Sequence, residues 1–192
     1  MHFTLTDLVT DIAQNAAESG ASLVELEVKI SNNRKSGARE FSFLVKDNGK
    51  GMNDDELKFA EDPFVTDGVK HPNRKIGLGI PFFIQTVEAC HGGWDIKSNR
   101  GKGTEVSGWF NTNNFDTPPV GDISGMFRTV LMFEGPDDIK IHRVMDADGE
   151  QYEYRIGKKE LKDAIGDLAD ANSLVLVDEY LRSLELFDNF SY

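Results

Sequence analysis

Five short motifs, rich in glycine and in acidic or amide residues, follow one another in the first 110 residues of this 192-residue chain. In order they are DIAQN (11–15), DNGKGM (47–52), DPFVTDG (62–68), KIGLGI (75–80) and GKGTEV (101–106). Glycine lets a backbone turn sharply and approach other groups closely, and carboxylate and amide side chains bind polar ligands. Each motif alone is weak and could be an ordinary turn. Their fixed order and spacing predict a fold that brings them together at one site.

The spacing of apolar residues predicts the elements around the first two motifs. Apolar residues at helical spacing predict a helix over Leu5–Ser19, with Thr6 as the N-cap and Gly20 at the C-cap position. Alternating residues predict a strand over Leu23–Ser31 and a second one that ends at Asp47, and we expect these two strands to pair as a hairpin.

The same patterns continue through the remaining motifs. A short helix is predicted over 54–60, and a loop rich in Pro, Gly and charge over 62–75. A helix over Gly79–His91 ends at two glycines, and the strands Trp94–Ser98 and Thr104–Phe110 follow.

A polar stretch with two prolines, residues 111–122, is the best candidate for a boundary. We therefore divide the chain into residues 1–115 and 120–192. The second part is predicted to contain a helix over 123–133, a hairpin around DADGE (146–150), and helices over 158–165 and 173–186. It contains no motif that indicates a function.

The ordered motifs resemble the N, G1, F, G2 and last glycine boxes of the GHKL family of ATP-binding domains. This family includes sensor histidine kinases, gyrase-type topoisomerases, MutL proteins and the large heat-shock chaperone, and the segment 77–93 is most similar to the histidine kinases. The resemblance covers roughly residues 5–110. It implies the Bergerat fold, an α/β two-layer sandwich with a mixed, mostly antiparallel sheet, here followed by a C-terminal α/β appendage. ATP would lie between the helices and a lid formed by residues 68–75.

The resemblance assigns Asp47 to the exocyclic amino group of adenine. A carboxylate accepts a hydrogen bond from that group, whereas guanine presents a carbonyl there. Gly49 and Gly51 would let the backbone approach the base, and Met52 would form a soft wall of the pocket. Thr104 either helps to hold a water near Asp47, as in relatives, or is an ordinary β-branched strand residue.

The resemblance also assigns Asn15 to Mg²⁺, which bridges the ATP phosphates, and Asp11 to the role of general base. On a helix these two residues lie one turn apart on the same face. Hydrolytic relatives usually have Glu at the base position, and Asp is one methylene shorter. The resemblance therefore implies nucleotide binding more strongly than it implies hydrolysis of ATP or transfer of its phosphate.

The phosphates would lie at the start of the helix that follows the fourth motif. Backbone N–H groups at a helix N-terminus favour anions. The residues expected to bind the nucleotide there are Lys75, Gly77, Leu78, Gly79 and Ile80. Arg74, beside Lys75, is a further candidate for contact with the β- or γ-phosphate.

Composition excludes some classes of function. The net charge is −12, which disfavours binding to nucleic acid or to an anionic membrane. No apolar stretch is long enough to span a bilayer, and with a single cysteine, Cys90, the chain contains no internal disulfide. We therefore expect a cytoplasmic protein.

These observations leave two hypotheses about function. The first is a stand-alone Mg-ATP-dependent ATPase or protein kinase that acts on a histidine or serine of a separate partner protein, with the second part of the chain binding that partner or forming a homodimer. The second is a module that senses ATP and switches a protein interaction without turnover.

Overall fold

The structure, a computed structural model, describes residues 4–33, 36–61 and 79–186. Its helices and strands, in chain order, are α1 (Leu5–Glu18), β1 (Leu23–Asn33), β2 (Ala38–Asp47), α2 (Asp54–Glu61), α3 (Gly79–Ala89), β3 (Gly93–Asn99), β4 (Gly103–Asn111), α4 (Ile123–Leu131), β5 (Asp138–Ala147), β6 (Glu150–Gly157), α5 (Lys158–Ile165) and α6 (Ala171–Leu184). No helix within these residues is long and apolar enough to cross a bilayer.

The six strands form one sheet in the order β3-β4-β2-β1-β5-β6. Four neighbouring pairs are antiparallel, and β1 and β5 are parallel. The predicted fold class, a mixed and mostly antiparallel sheet covered by helices, is confirmed. The hairpin predicted for the first two strands is also confirmed, as β1–β2.

The second part of the chain contributes to this same sheet. β5 pairs along β1 from Leu23–Asp138 to Asn32–Ala147, and β6 continues the sheet beyond it. The hairpin predicted at DADGE is confirmed: Asp148 and Gly149 connect β5 to β6 with φ angles of 56° and 89°, the left-handed conformation that a tight hairpin turn requires. The functional division of the chain at residues 115–120 stays a prediction.

Among the described residues, one hydrophobic core lies between one face of the sheet and the helices. Alternate residues of the central strands, such as Val24, Leu26 and Val28 of β1, are buried there. Residues between them, such as Glu25 and Lys46, point to the other face and are exposed. The period-two alternation of the sequence thus sets which face of the sheet packs against the helices.

The helix ends differ from the sequence-based expectation by up to two residues, as at the start of α1 and the end of α3. The N-cap of α1 is Thr4 and not Thr6, because Asp7 completes a capping box: Thr4 Oγ1 accepts from Asp7 N at 3.2 Å and Thr4 N donates to Asp7 Oδ2 at 3.1 Å. Thr6 lies inside the first turn and is buried. Helix α3 ends at Ala89, earlier than expected, and His91 adopts a left-handed φ of 54°.

Candidate functional site

Asp47, the last residue of β2, is a buried carboxylate with neutral hydrogen-bond donors. It is 6% exposed, and its Oδ1 accepts from Gly49 N at 2.7 Å and from Ser19 Oγ at 3.0 Å. Burial raises the pKa of the Asp47 carboxyl above its ordinary value, while hydrogen bonds from Gly49, Ser19 and the backbone of Thr104 oppose the rise. Among the described residues no cation pairs with this carboxylate, and hydrogen bonds from neutral groups fix its position.

The loop after Asp47 packs tightly onto the end of helix α1. A Cβ atom on Gly49 would overlap Ser19 Oγ, so a side chain at this position would displace the hydroxyl that binds Asp47. Lys50 N donates to Ser19 O at 3.1 Å, which joins the loop to the helix a second time. Glycine at position 49 is therefore required by its close approach to Ser19. The approach of this backbone to a base stays a prediction.

Helix α3 begins against the face of α1 that carries Asn15. A Cβ on Gly79 would lie 2.9 Å from Asn15 Nδ2 and 3.6 Å from Asp11 Cβ. The structure thus brings together three residues from the first and fourth motifs. The absence of a side chain at Gly79 leaves the Asn15 amide next to the N-terminus of α3, where backbone N–H groups favour an anion.

These elements enclose a cleft of about 360 Å³. Its apolar lining comes from three helices, two strands and the loop after β2: Ile12, Ala16, Val45, Met52, Phe59, Ala60, Ile80 and Val106. Its polar lining comes from Asn15, Glu18, Ser19, Asp47, Lys50, Glu56, Arg100 and Thr104, and Gly51 completes it. An apolar slot of this size with a few convergent polar groups is typical of a small-molecule site.

Thr104 lines this cleft, and its hydroxyl belongs to a short hydrogen-bond chain. Ser98 Oγ lies 2.9 Å from Thr104 Oγ1 and accepts from Met52 N at 2.8 Å. The chain links β3 and β4 to the loop that contains Met52. Thr104 therefore faces the cleft and also helps to fix one wall of it.

A larger concavity of about 720 Å³ lies on the other face of the sheet. Its lining alternates in charge, with Glu25, Glu27, Lys46, Lys140 and Arg155 among the residues of its strands. Of the motif residues, its described lining contains only Glu105, whose neighbours Thr104 and Val106 line the smaller cleft. Opposite charges on neighbouring strands commonly pair with one another. We therefore take the smaller cleft as the functional site.

Several predicted residues lie outside the described part of the chain. They are Arg74, Lys75, Gly77 and Leu78, together with the third motif, residues 62–68, and the proposed lid, residues 68–75. Asp11 is described, but it is not among the described residues that line the cleft. In the described ranges, no group of three or more His, Cys, Asp or Glu residues could hold a metal ion by itself.

Five polar residues of the cleft were given no role from the sequence: Glu18, Ser19, Lys50, Glu56 and Arg100. Ser19 follows Asp11 and Asn15 at successive intervals of four residues, so helical periodicity could have identified it. No local pattern could have identified Glu56 and Arg100, because they are 44 residues apart and meet only in the folded chain.

The family model described as histidine kinase-, DNA gyrase B-, and HSP90-like ATPase matches residues 3–114. A "Putative sensor protein" of Shewanella frigidimarina is 27% identical over 106 residues, which cover 55% of this chain and 15% of that protein. The chain therefore spans a small fraction of the length of this curated relative.

Two solved structures are similar to this chain. The N-terminal domain of a DNA repair protein shares 12% identity with a TM-score of 0.49, covering 86% of this chain and 57% of that chain. The Aquifex aeolicus MutL ATPase domain complexed with ADP shares 15% identity with a TM-score of 0.38, covering 79% and 62%. These scores are too low for either likeness to add to the family match.

Proposed function

Because this chain belongs to the histidine kinase-, DNA gyrase B-, and HSP90-like ATPase family, we propose that it binds Mg-ATP in the cleft beside Asp47 and uses it as an ATPase or protein kinase acting on a separate partner protein. The family match supports ATP binding by the domain. The observation that carries the assignment of the site is the buried Asp47 carboxylate with its neutral donors, at the polar end of an apolar slot.

In this proposal Asp47 recognises the adenine. Its Oδ1 already accepts from Ser19 and Gly49, so we assign Oδ2 to the exocyclic amino group of the base. Met52 and Ile80, with the other apolar residues of the slot, would contact the faces of the ring. A site built to accept a hydrogen bond from a substrate amino group rejects a ring that lacks this donor, because the buried carboxylate would then be unpaired.

The phosphates are assigned to the place where α1 meets the start of α3. Asn15 would supply an amide oxygen for Mg²⁺, a hard cation that prefers oxygen ligands and would take its others from phosphate and water. Bound Mg²⁺ would neutralise phosphate charge. The backbone N–H groups at the start of α3, beginning at Gly79, would contact the phosphate oxygens.

Asp11 is assigned the role of general base. It lies one turn before Asn15 and close to Gly79. In the proposed step, Asp11 accepts the proton of water or of a partner hydroxyl or imidazole. The nucleophile forms a bond to the γ-phosphorus as the bond to the bridging oxygen breaks, and ADP leaves with that electron pair.

A second function is favoured by one observation on the same residue. Asp11 is not among the described residues that line the cleft, whereas Asn15 is. With Asp at a position where hydrolytic relatives carry Glu, the carboxylate would act only on Asn15. The chain would then sense ATP and switch a protein interaction without turnover.

We assign partner binding to residues 120–192. Helix α6 carries three exposed large apolar side chains, Val175, Leu176 and Tyr180, which are 57%, 52% and 46% exposed. Exposed apolar residues of this kind support an interaction surface. The occupant is a protein partner or a second copy of the chain, and the net charge of −12 disfavours nucleic acid.

Calorimetric titration of the purified chain with Mg-ATP tests the site. Asp47→Asn should weaken binding by about 100-fold or more, because an amide would present a donor to the adenine amino group. Asp95→Asn, an exposed carboxylate on β3, is the matched control and should bind like the wild type. Unchanged affinity in Asp47→Asn would overturn the assignment.

The two functions are separated by phosphate release. For the enzyme, Asp11→Ala should abolish release of phosphate, or transfer to an added partner, while ATP affinity stays within about threefold of the wild type. For the sensor, the wild-type chain releases no phosphate with or without partner, and ATP alters partner capture instead.

A further inference from the structure

Arg100 is a cationic side chain of the cleft that no motif assigns. It lies in the turn between β3 and β4, lines the cleft, and contacts Glu56 of helix α2. Its Nη1 donates to Glu56 Oε1 at 2.8 Å and to Oε2 at 2.6 Å. The side chain of Arg100 is 62% exposed and that of Glu56 is 17% exposed, so the pair lies at the rim of the cleft.

Glu56 is held firmly by its own helix. Asn53 and Glu56 cap α2 reciprocally: Asn53 N donates to Glu56 Oε2 at 3.0 Å, and Glu56 N donates to Asn53 Oδ1 at 2.8 Å. The cap of α2 therefore holds the Glu56 carboxylate in position independently of its contact with Arg100.

The turn that carries Arg100 is built onto the loop that follows Asp47. Gly101 N donates to Lys50 O at 2.7 Å, and a Cβ on Gly51 would overlap Asn99 O. Arg100 is therefore attached to the end of the cleft where Asp47 lies. Asn15, where the phosphates are proposed to bind, precedes Ser19, the partner of Asp47, by one helical turn. The phosphate site is therefore about 6 Å away from the Asp47 end along α1.

The guanidinium also keeps donors for a ligand. Arginine has five N–H donors in a planar fork. Among the described residues, the hydrogen bonds of Arg100 to Glu56 use Nη1 alone, and neither Nε nor Nη2 donates to any of them. Adenine ring nitrogens and ribose oxygens are acceptors, so the nucleoside offers what these donors need.

We propose that Arg100 binds the nucleoside portion of ATP at the rim of the cleft, and that Glu56 positions it. This inference rests on the proposed function but adds a residue to it. The simpler explanation is an exposed ion pair that only stabilises α2. It predicts a small loss of stability on removal of Arg100, because exposed pairs contribute little, and no change in ligand affinity. A phosphate contact is disfavoured, because Arg100 is tied to the Asp47 end.

The test compares Mg-ATP with adenosine, which lacks phosphates, on the full chain. Binding is followed by calorimetry for Mg-ATP and by amide NMR shifts for adenosine. Arg100→Ala should weaken both ligands by the same factor, about threefold to tenfold, as expected for one hydrogen bond. Lys97→Ala, an exposed cation of the same hairpin, should change neither affinity.

Glu56→Gln tests the positioning role, since glutamine keeps the cap of α2 and removes the charge. It should weaken both ligands by about twofold to threefold. In the double variant with Arg100→Ala it should add nothing further. Circular dichroism of each variant verifies that the chain is folded.

Two results would overturn the inference. If Arg100→Ala weakens Mg-ATP but leaves adenosine unchanged, the guanidinium binds phosphate. If it changes neither while Asp47→Asn abolishes binding, the ion pair serves α2 alone and the proposed function stands. A separate result, no binding of Mg-ATP or adenosine by the wild-type chain, would overturn the proposed function and this inference with it.

Discussion

Asp47 and Arg143 are both buried charged side chains, but the protein satisfies them in different ways. Asp47 is 6% exposed and receives hydrogen bonds from neutral donors, Ser19 and Gly49. Arg143 on β5 is 0% exposed and meets a full counter-charge, with Nε 3.1 Å from Glu185 Oε1 and Nη2 3.3 Å from Glu185 Oε2.

Each nitrogen of the Arg143 guanidinium donates a hydrogen bond within the protein. Its Nη1 donates to Val144 O at 2.8 Å, and Tyr154 donates its hydroxyl to the same Glu185 carboxylate. This network fastens the end of α6 to β5 and β6. A buried charge that pairs with an opposite charge of the protein, as Arg143 does, has a structural role. A buried charge held by neutral donors beside a cleft, as Asp47 is, is suited to recognise a ligand.

The largest expected effect comes from breaking the Arg143 network. Arg143→Met leaves the Glu185 carboxylate partly buried without its counter-charge and should lower the free energy of unfolding by about 3–5 kcal/mol. Urea denaturation measures this loss, and Mg-ATP affinity below the unfolding transition should be unchanged. Arg128→Met removes the half-exposed ion pair with Asp178 and should cost less than about 1 kcal/mol. Equal losses in the two variants would contradict the contrast between buried and exposed pairs.

The next largest expected effect comes from changing the backbone that packs against Asp47. Gly101 and Gly103 in the β3–β4 turn have φ angles of 76° and 99°. A Cβ on Gly103 would overlap the Asp47 carbonyl oxygen, whereas one on Gly101 meets nothing within 4 Å. Gly101→Ala should cost about 1 kcal/mol from the backbone alone, and Gly103→Ala about 1–3 kcal/mol more.

Denaturant titration and ATP binding measure both glycine variants. Gly103→Ala should also weaken Mg-ATP binding, since Asp47 must move, and Gly101→Ala should not. If the two variants are equally stable and bind ATP equally, the clash at Gly103 has no bearing on the site.

The smallest effect is the pH dependence set by Asp47. Burial raises the pKa of its carboxyl in the folded chain above the ordinary value of 3.8. The folded state therefore holds this proton more tightly, and the stabilisation is fully present below pH 3.8 and is lost as pH rises through the raised pKa. The unfolding free energy of the wild type, relative to Asp47→Asn, should fall across that window and then level off. A difference that rises with pH would show that hydrogen bonds to the carboxylate outweigh burial.

Much of the fold could be predicted because its signals are local. Alternation identified β1 and β2, and the Asp148–Gly149 turn identified the β5–β6 hairpin. The N-cap of α1 was wrong because both Thr4 and Thr6 are good caps, and the choice depends on Asp7. The parallel pairing of β1 with β5 was not predicted, since residues more than a hundred positions apart carry no local signal for it.

The residues of the site likewise fall into those that the sequence identified and those that it could not. Family motifs pointed to Asn15, Asp47 and Gly79. In the structure Asn15 and Asp47 line one cleft, and Gly79 lies against Asn15. Their roles toward a nucleotide stay predictions. Motifs could not reveal Ser19 as the partner of Asp47, nor the meeting of Glu56 with Arg100, because each contact joins two elements that are distant in sequence.

The parallel pairing of β1 with β5 has a consequence for dissecting this protein. β1 lies inside the sheet, with β2 on one side and β5 on the other. A fragment ending near residue 115 would keep all five motifs but would turn β1 into an unprotected edge. The backbone N–H and C=O groups of β1 that pair with β5 would then be unpaired, beside Val24, Leu26 and Val28. Such an edge recruits other chains, so the fragment would tend to aggregate through β1.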